Sequence, residues 1–224
     1  YTTLPMGIII TKDYVLTVCL DDNLTINDMA EGRVKGLQTS MKTRFLLLAL
    51  LRIAARFLIY LKQIDRISSN TEHRLHQSMR NKELIQLLGL EKSLVYFSTS
   101  LKANEITLEK ILRGRIIKLY EEDEDLLEDV LIEVKQAIEM CNIYSGILSG
   151  MMDAFASVIS NNLNIVMKTL TIITIVMAIP NIVFGFYGMN VSGLPFPIWW
   201  VPLALSVIFC TIGGIVLVKK DSFH

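Results

Sequence analysis

Apolar residues recur at different spacings along the chain, and each spacing predicts a different element. Near the start they alternate. Met6 to Thr11 and Tyr14 to Leu20 flank a Lys12-Asp13 turn, which predicts a β-hairpin. Two strands alone are marginal, so we expect the rest of a sheet to lie in a portion outside this chain. From Leu37 the spacing turns helical, through Phe45, Leu48, Leu51, Ala55, Leu58 and Leu61, with no proline between Pro5 and Pro180. With Gly89 and Gly114 as the expected interruptions, the pattern predicts helices over about 37 to 78 and 81 to 113 and a third beginning near Glu121.

That third helix carries two stripes. The first, Leu127, Val130, Val134, Ala137, Cys141, Tyr144, Leu148, Met151, Phe155 and Val158, is an apolar seam at the coiled-coil spacing. The second, at the same spacing, is polar or small: Asp153, Ser157, Ser160, Asn164, Met167, Thr171, Thr174, Ala178, Asn181 and Gly185. It crosses from charged sequence into a stretch, 169 to 218, that contains no charged residue.

Within that stretch and its approach, Leu163 to Phe186 and Trp199 to Val218 are each long enough to cross a membrane. A helix rises about 1.5 Å per residue, so a hydrocarbon core of about 30 Å takes roughly 20 residues. A buried core helix can also be apolar all round, but two such segments separated only by Gly188 to Ile198 favour spans. Lys168 opens the first and Lys219-Lys220 closes the second, so the positive-inside rule places both ends in the cytoplasm and the loop outside. Trp199 and Trp200 stand where an aromatic belt anchors the outer interface. Small and polar groups on one side of a membrane helix must face other helices or water, because lipid leaves them unsatisfied. One copy cannot enclose a path, so a pore would need a closed cyclic oligomer. The rival reading is that small residues only mediate helix packing; a carboxylate and two asparagines on the same line favour the pore.

Composition narrows the function further. Lys plus Arg and Asp plus Glu both number 22, so nothing marks a nucleic-acid binder. Cys19, Cys141 and Cys210 lie too far apart for a disulfide framework or metal cluster and read as small apolar residues in a reducing compartment. His73 and His76 stand three apart on a predicted helix without an evident third ligand, and read as a surface pair. No nucleophile-base pair, phosphate loop or metal triad points to an enzyme or to a cofactor.

Tyr187-Gly188-Met189-Asn190, placed between two C-terminal apolar segments, resembles the signature of the CorA family of magnesium channels. Asn164-Ile165-Val166-Met167-Lys168 and Pro180 also resemble that family's first span, and the likeness extends over nearly the whole chain. The resemblance implies a mainly α membrane protein, a homopentameric funnel whose long stalk helix continues into the first of two transmembrane helices. Residues 1–36 would end an N-terminal α/β cytoplasmic domain, 37–120 form antiparallel cytoplasmic helices and 121–162 the stalk. Then 163–187 would line the pore, 188–198 form the extracellular loop, 199–218 the second span and 219–224 a basic cytoplasmic tail in the inner membrane.

The implied activity is passive Mg²⁺ uptake, with Co²⁺ and Ni²⁺ as further candidates. Gly188, Met189 and Asn190 would form the entrance, with a ring of Asn190 carboxamides accepting hydrogen bonds from the hydrated ion. Gly185, Asn181, Ala178, Thr174 and Thr171 would wall the path, Met167 and Leu170 constrict it, and Asn164 and Asp153 lead to the cytoplasm. The acidic run Glu121 to Asp125, with Glu128, Asp129 and Glu133, suggests control by intracellular Mg²⁺, with Asp129 as the candidate ligand. The plain alternative is a solvated, acidic helix start. The loop after Asn190, Val191 to Pro197, lacks the acidic residues common in that family, which weakens external capture by loop charge. Rival functions are a Zn²⁺ transporter of the same fold, against which the absence of soft ligands speaks, and a non-conducting membrane-anchored scaffold.

Overall fold

The computed structural model describes residues 1–78, 81–114, 117, 119–189, 193, 195 and 198–221. Strands β1 (Met6–Ile10) and β2 (Val15–Cys19) form an antiparallel two-stranded sheet, with Met6 opposite Cys19 and Ile10 opposite Val15. The turn is closed by the Thr11 amide donating to the Tyr14 carbonyl at 2.9 Å and the Tyr14 amide donating to Thr11 Oγ1 at 2.9 Å. Alternation turns Met6, Ile8, Ile10, Val15, Thr17 and Cys19 to the half-buried face, as strand geometry requires. A short helix follows, α1 (Leu24–Ala30), which the apolar spacing did not predict. Its signal is local: the Asn23 side chain accepts from the Thr25 and Ile26 amides, and Gly32 takes a left-handed φ of 71° just past the end.

Three long helices build the rest of the N-terminal unit, residues 1 to 155: α2 (Lys42–Ser78), α3 (Asn81–Leu112) and the first half of α4 (Glu124–Tyr187). Helix α2 begins at Lys42 rather than Leu37, after Gly36 turns the chain with φ of 76°. Lys42 donates its ammonium to the Thr11 carbonyl at 2.7 Å and to the Lys12 carbonyl, holding the hairpin turn against the helix start. Gly89 does not interrupt α3; a glycine inside a helix costs about 1 kcal/mol relative to alanine, which 32 residues of packed helix absorb. Gly114, with φ of 66°, follows the end of α3 as expected. Helix α4 is preceded by a single 3₁₀ turn, Glu121–Asp123.

Pairings across the bundle give its directions. Arg74 donates to Gln86 at 3.0 Å, and Phe57 meets Phe97 edge to face at 5.1 Å, so α2 and α3 run antiparallel. Arg44 lies 3.7 Å from Asp123, and Asp65 acts on Tyr144, so α4 starts beside the start of α2 and runs parallel to it. The shared core contains Leu47, Leu61, Ile64 and Leu75 from α2, Leu87, Leu94, Leu101 and Leu108 from α3, and Leu127, Val130, Val134, Ala137, Cys141, Leu148 and Phe155 from α4. The predicted seam is therefore this core, with Tyr144 and Met151 packed half-buried beside it. Val158, also placed on the seam, is exposed. A smaller cluster of Met29, Val34 and Ala49 ties α1 and the following loop to α2, beside the ion pair of Arg56 with Asp28.

Within the acidic run Asp123 stands apart from its neighbours. Its side chain is buried against Arg44, whereas Glu121, Glu122, Glu124 and Asp125 are exposed. Arg44→Ala should leave a buried carboxylate without its cation and lower unfolding stability by about 1–3 kcal/mol. Replacing both partners by Leu should recover much of the loss, read by thermal denaturation followed by circular dichroism.

Burial pushes the Cys141 thiol from 9.0 up to about 11. Tyr144 is also raised, first by desolvation and then by the negative charge of Asp65. A raised thiol pKa in the folded state means that unfolding releases the Cys141 proton between pH 9 and about 11. The stability held by the neutral thiol is whole below pH 9 and falls as pH rises towards 11. Cys141→Ala should flatten this alkaline loss in melting curves recorded from pH 8 to pH 11, even though its stability at neutral pH is lower.

Candidate ion pathway

The second unit, residues 156 to 224, holds the remainder of α4 and the helix α5 (Val201–Asp221). No break separates the stalk part of α4 from its apolar part; the ladder is one helix of 64 residues. Among the described residues it is the helix long and apolar enough to cross a membrane, and its apolar stretch has no buried residue. Helix α5 is apolar over Val201–Leu217, and Trp199, 87% exposed, and Trp200 precede it.

The two helices meet along specific faces. On α4 the half-buried positions are Ile172, Val176, Ile179, Pro180, Val183 and Tyr187. On α5 Pro202 and Ser206 are buried, and Val201, Ala204, Leu205, Cys210, Gly213, Gly214 and Leu217 are half-buried. Cys210 Sγ reaches the Val176 carbonyl at 3.5 Å, and a Cβ built on Gly213 would lie 3.1 Å from Ile179 Cδ1.

A helix turns about 100° per residue, which puts the predicted polar stripe roughly half a turn away from the α5 contact. Every stripe residue from Asn164 to Gly185 is exposed: Asn164, Met167, Thr171, Thr174, Ala178, Asn181 and Gly185; Leu170, named with Met167 for the constriction, is exposed too. Helix α5 thus covers the opposite side of α4 and leaves the stripe open. Asp153 is also exposed, in the last turns of the first unit, and Asp129 is exposed two turns into α4. Among the described residues no three His, Cys, Asp or Glu side chains converge in a way that could hold a metal ion.

Threonine chemistry on the stripe was not anticipated from the sequence. Thr171 Oγ1 donates to the Met167 carbonyl at 2.8 Å and Thr174 Oγ1 to the Leu170 carbonyl at 2.8 Å. With the hydroxyl proton committed to the helix, the remaining oxygen lone pairs can only accept. That polarity suits the waters of a hydrated cation.

At the outer end, the Gly188 amide donates to the Phe184 carbonyl at 2.8 Å. A Cβ on Gly188 would stand 3.0 Å from that carbonyl oxygen, so glycine is the residue that lets the helix close there. Tyr187 packs edge to face on Phe186 at 5.7 Å and donates its hydroxyl to the Pro195 carbonyl at 3.2 Å, tying the helix end to the following loop. Met189 is exposed, and Asn190 lies outside the described residues.

Comparison with known proteins decides the family. The profile of the family described as CorA-like Mg²⁺ transporter protein matches residues 1–220. This chain belongs to the CorA family. A cobalt/magnesium transport protein CorA from Methanocaldococcus jannaschii is 31% identical over 224 aligned residues, covering 94% of this chain and 69% of that protein. The Thermotoga maritima protein of the same name is 33% identical over 131 residues, covering 53% of this chain and 37% of its own length. The complete CorA magnesium transporter structure from M. jannaschii superposes with a TM-score of 0.73 over 97% of this chain and 74% of that one, at 24% identity, which shows the shared fold. The soluble domain of the same transporter aligns with a TM-score of 0.60 at 27% identity, covering 66% of this chain and 61% of that chain.

The division of α4 into two faces has a direct consequence for this CorA-family chain in lipid. Single cysteines at Thr174 or Asn181 should react with a charged, membrane-impermeant thiol reagent, while cysteines at Val176 or Val183 should be protected. Labelling rates above those of the native cysteines, compared by mass spectrometry in proteoliposomes, check this; equal rates on both faces would contradict it.

Proposed function

We propose that this chain is a subunit of a divalent-cation channel of the cytoplasmic membrane that carries Mg²⁺ inward, with Co²⁺ and Ni²⁺ as further cargo. The observation that carries this reading is the polar stripe of α4, left open by α5 in a member of a transporter family. An open stripe containing Asn164, Thr171, Thr174 and Asn181 is costly against lipid and favourable against water. Identical stripes from several copies, five by resemblance to the family, would enclose a hydrated path.

In this reading residues 163–187 and 199–218 are the two spans, both termini are cytoplasmic, and the loop 188–198 is external. The Asn190 ring receives the ion with its water shell intact, since Mg²⁺ sheds water reluctantly and an amide oxygen accepts from polarised waters without holding them too long. Threonine lone pairs and Asn181 continue this acceptor surface inward, past Gly185 and Ala178, whose small size leaves room for the shell. Met167 and Leu170, 54% and 56% exposed in the single chain, form an apolar constriction that opens and closes the path by wetting. Asn164 and Asp153 draw the cation to the cytoplasmic exit.

An inside-negative potential supplies about 2.3 kcal/mol per charge per 100 mV, roughly double that for a divalent ion, so the proposed uptake needs no coupled reaction. Asp129, exposed near the stalk start, is the candidate for a carboxylate that intracellular Mg²⁺ bridges between subunits to hold the pore shut. Transport rather than catalysis is the activity of the family, and the cobalt/magnesium names of the relatives favour these ions over Zn²⁺.

Mg²⁺ influx into proteoliposomes, read by an internal dye under a negative internal potential, tests the reading. Asn190→Ala at matched incorporation should lower the initial rate at least tenfold. Wild-type protein that carries no Mg²⁺ even with internal Mg²⁺ removed would overturn the channel in favour of a helical scaffold.

A further inference from the structure

Pro180 sits inside α4, where it cannot donate a backbone hydrogen bond. The acceptor that loses its helical partner is the carbonyl four residues earlier, that of Val176. In an apolar segment such a carbonyl has no water to turn to and must be satisfied by a neighbouring helix or side chain. The Cys210 thiol of α5 stands there, with Sγ 3.5 Å from the Val176 oxygen. A thiol is a weak donor, and a carbonyl left over by proline is a free acceptor.

Other polar side chains of α5 do something different. Ser206 returns its hydroxyl to the Leu203 carbonyl at 2.9 Å, and Thr211 returns its own to Val207 and Ile208 at 3.0 and 2.8 Å. Cys210 reaches across to α4 instead. Gly213 belongs to the same contact: its missing side chain admits Ile179, the residue before Pro180, at a distance that a larger residue would push apart. Helix α5 therefore brings the thiol to the carbonyl that Pro180 leaves without its helical donor. Ala178 and Asn181, which flank Pro180 closely in sequence, lie on the open stripe. How the ladder is held at Pro180 sets how those two positions face the path.

We propose that Cys210 is a positioning residue for the ion pathway: its thiol supplies the hydrogen bond that Pro180 withholds from Val176, and so fixes α5 to α4 at the break in the ladder. The role for conduction rests on the channel reading above; the thiol-carbonyl bond does not.

The test is a cycle in the full chain, reconstituted in lipid. Cys210→Ala and Cys210→Val, which remove the donor with smaller and similar bulk, should each lower Mg²⁺ influx about fivefold at matched incorporation, the factor that about 1 kcal/mol of lost hydrogen bond corresponds to. Pro180→Ala restores a backbone N–H to Val176, so in that background Cys210→Ala should change the influx by less than about twofold. Infrared difference spectra of wild type against Cys210→Ala isolate the S–H stretch of this thiol. It should lie at the frequency of a hydrogen-bonded thiol and shift towards the free value in Pro180→Ala. An equal loss on Cys210→Ala in both backgrounds, or a wild-type S–H band at the free-thiol frequency, overturns the proposal. Absence of wild-type flux would count against the channel alone, since the S–H band still decides the bond; the band also decides it where Pro180→Ala fails to assemble.

Discussion

One helix, α4, has to serve two kinds of surroundings, and the rest of the structure is arranged around that demand. Over Leu127 to Phe155 the helix is covered by α2 and α3, and its stability comes from an apolar seam packed into a three-helix core. In the second unit α4 carries, besides its polar stripe, a largely apolar exposed surface. Where such a helix crosses a membrane, each backbone group needs its partner within the helices, because hydrocarbon offers none. Threonines that return their protons to the ladder and a thiol that reaches the carbonyl vacated by Pro180 are both answers to that shortage.

Burial is distributed unevenly around α4, and that unevenness carries the functional content. Helix α5 takes one face, with Cys210 at the Val176 carbonyl and Gly213 beside Ile179. The opposite face keeps its carboxamides and hydroxyls uncovered. Had α5 packed on the stripe instead, Asn164 and Asn181 would have lain among apolar side chains, at a cost of several kcal/mol for unsatisfied groups. Pairing α5 with the apolar side leaves the polar side for water or for other copies of the chain.

The bundle of α2, α3 and the first part of α4 shows a different use of polarity. Arg44 and Asp123 join the start of α2 to the start of the stalk, and Lys42 grips the hairpin turn through two carbonyls. Both contacts sit where helices begin, so they fix the register of long helices at one end and leave packing to continue it. Asp123 was legible in the sequence only as one acid among several, since nothing local distinguishes the carboxylate that meets an arginine nearly eighty positions earlier.

The sequence by itself determined the period-two hairpin, the long helices and the proline-free run, because side-chain spacing reports directly which face of an element is apolar. The seam from Leu127 to Phe155 and the stripe from Asn164 to Gly185 were both readable for that reason. Gly89 misled because a helix can carry an isolated glycine at modest cost, and α1 escaped because seven residues are too few to show a period while its Asn23 cap is a local signal. Tertiary structure alone decided which contacts close the fold: the Arg44 pairing of Asp123, the face of α4 that α5 covers, and the role of Cys210. These depend on which residues distant in the chain come within reach, and a cysteine reads as a small apolar residue until the carbonyl it faces is known.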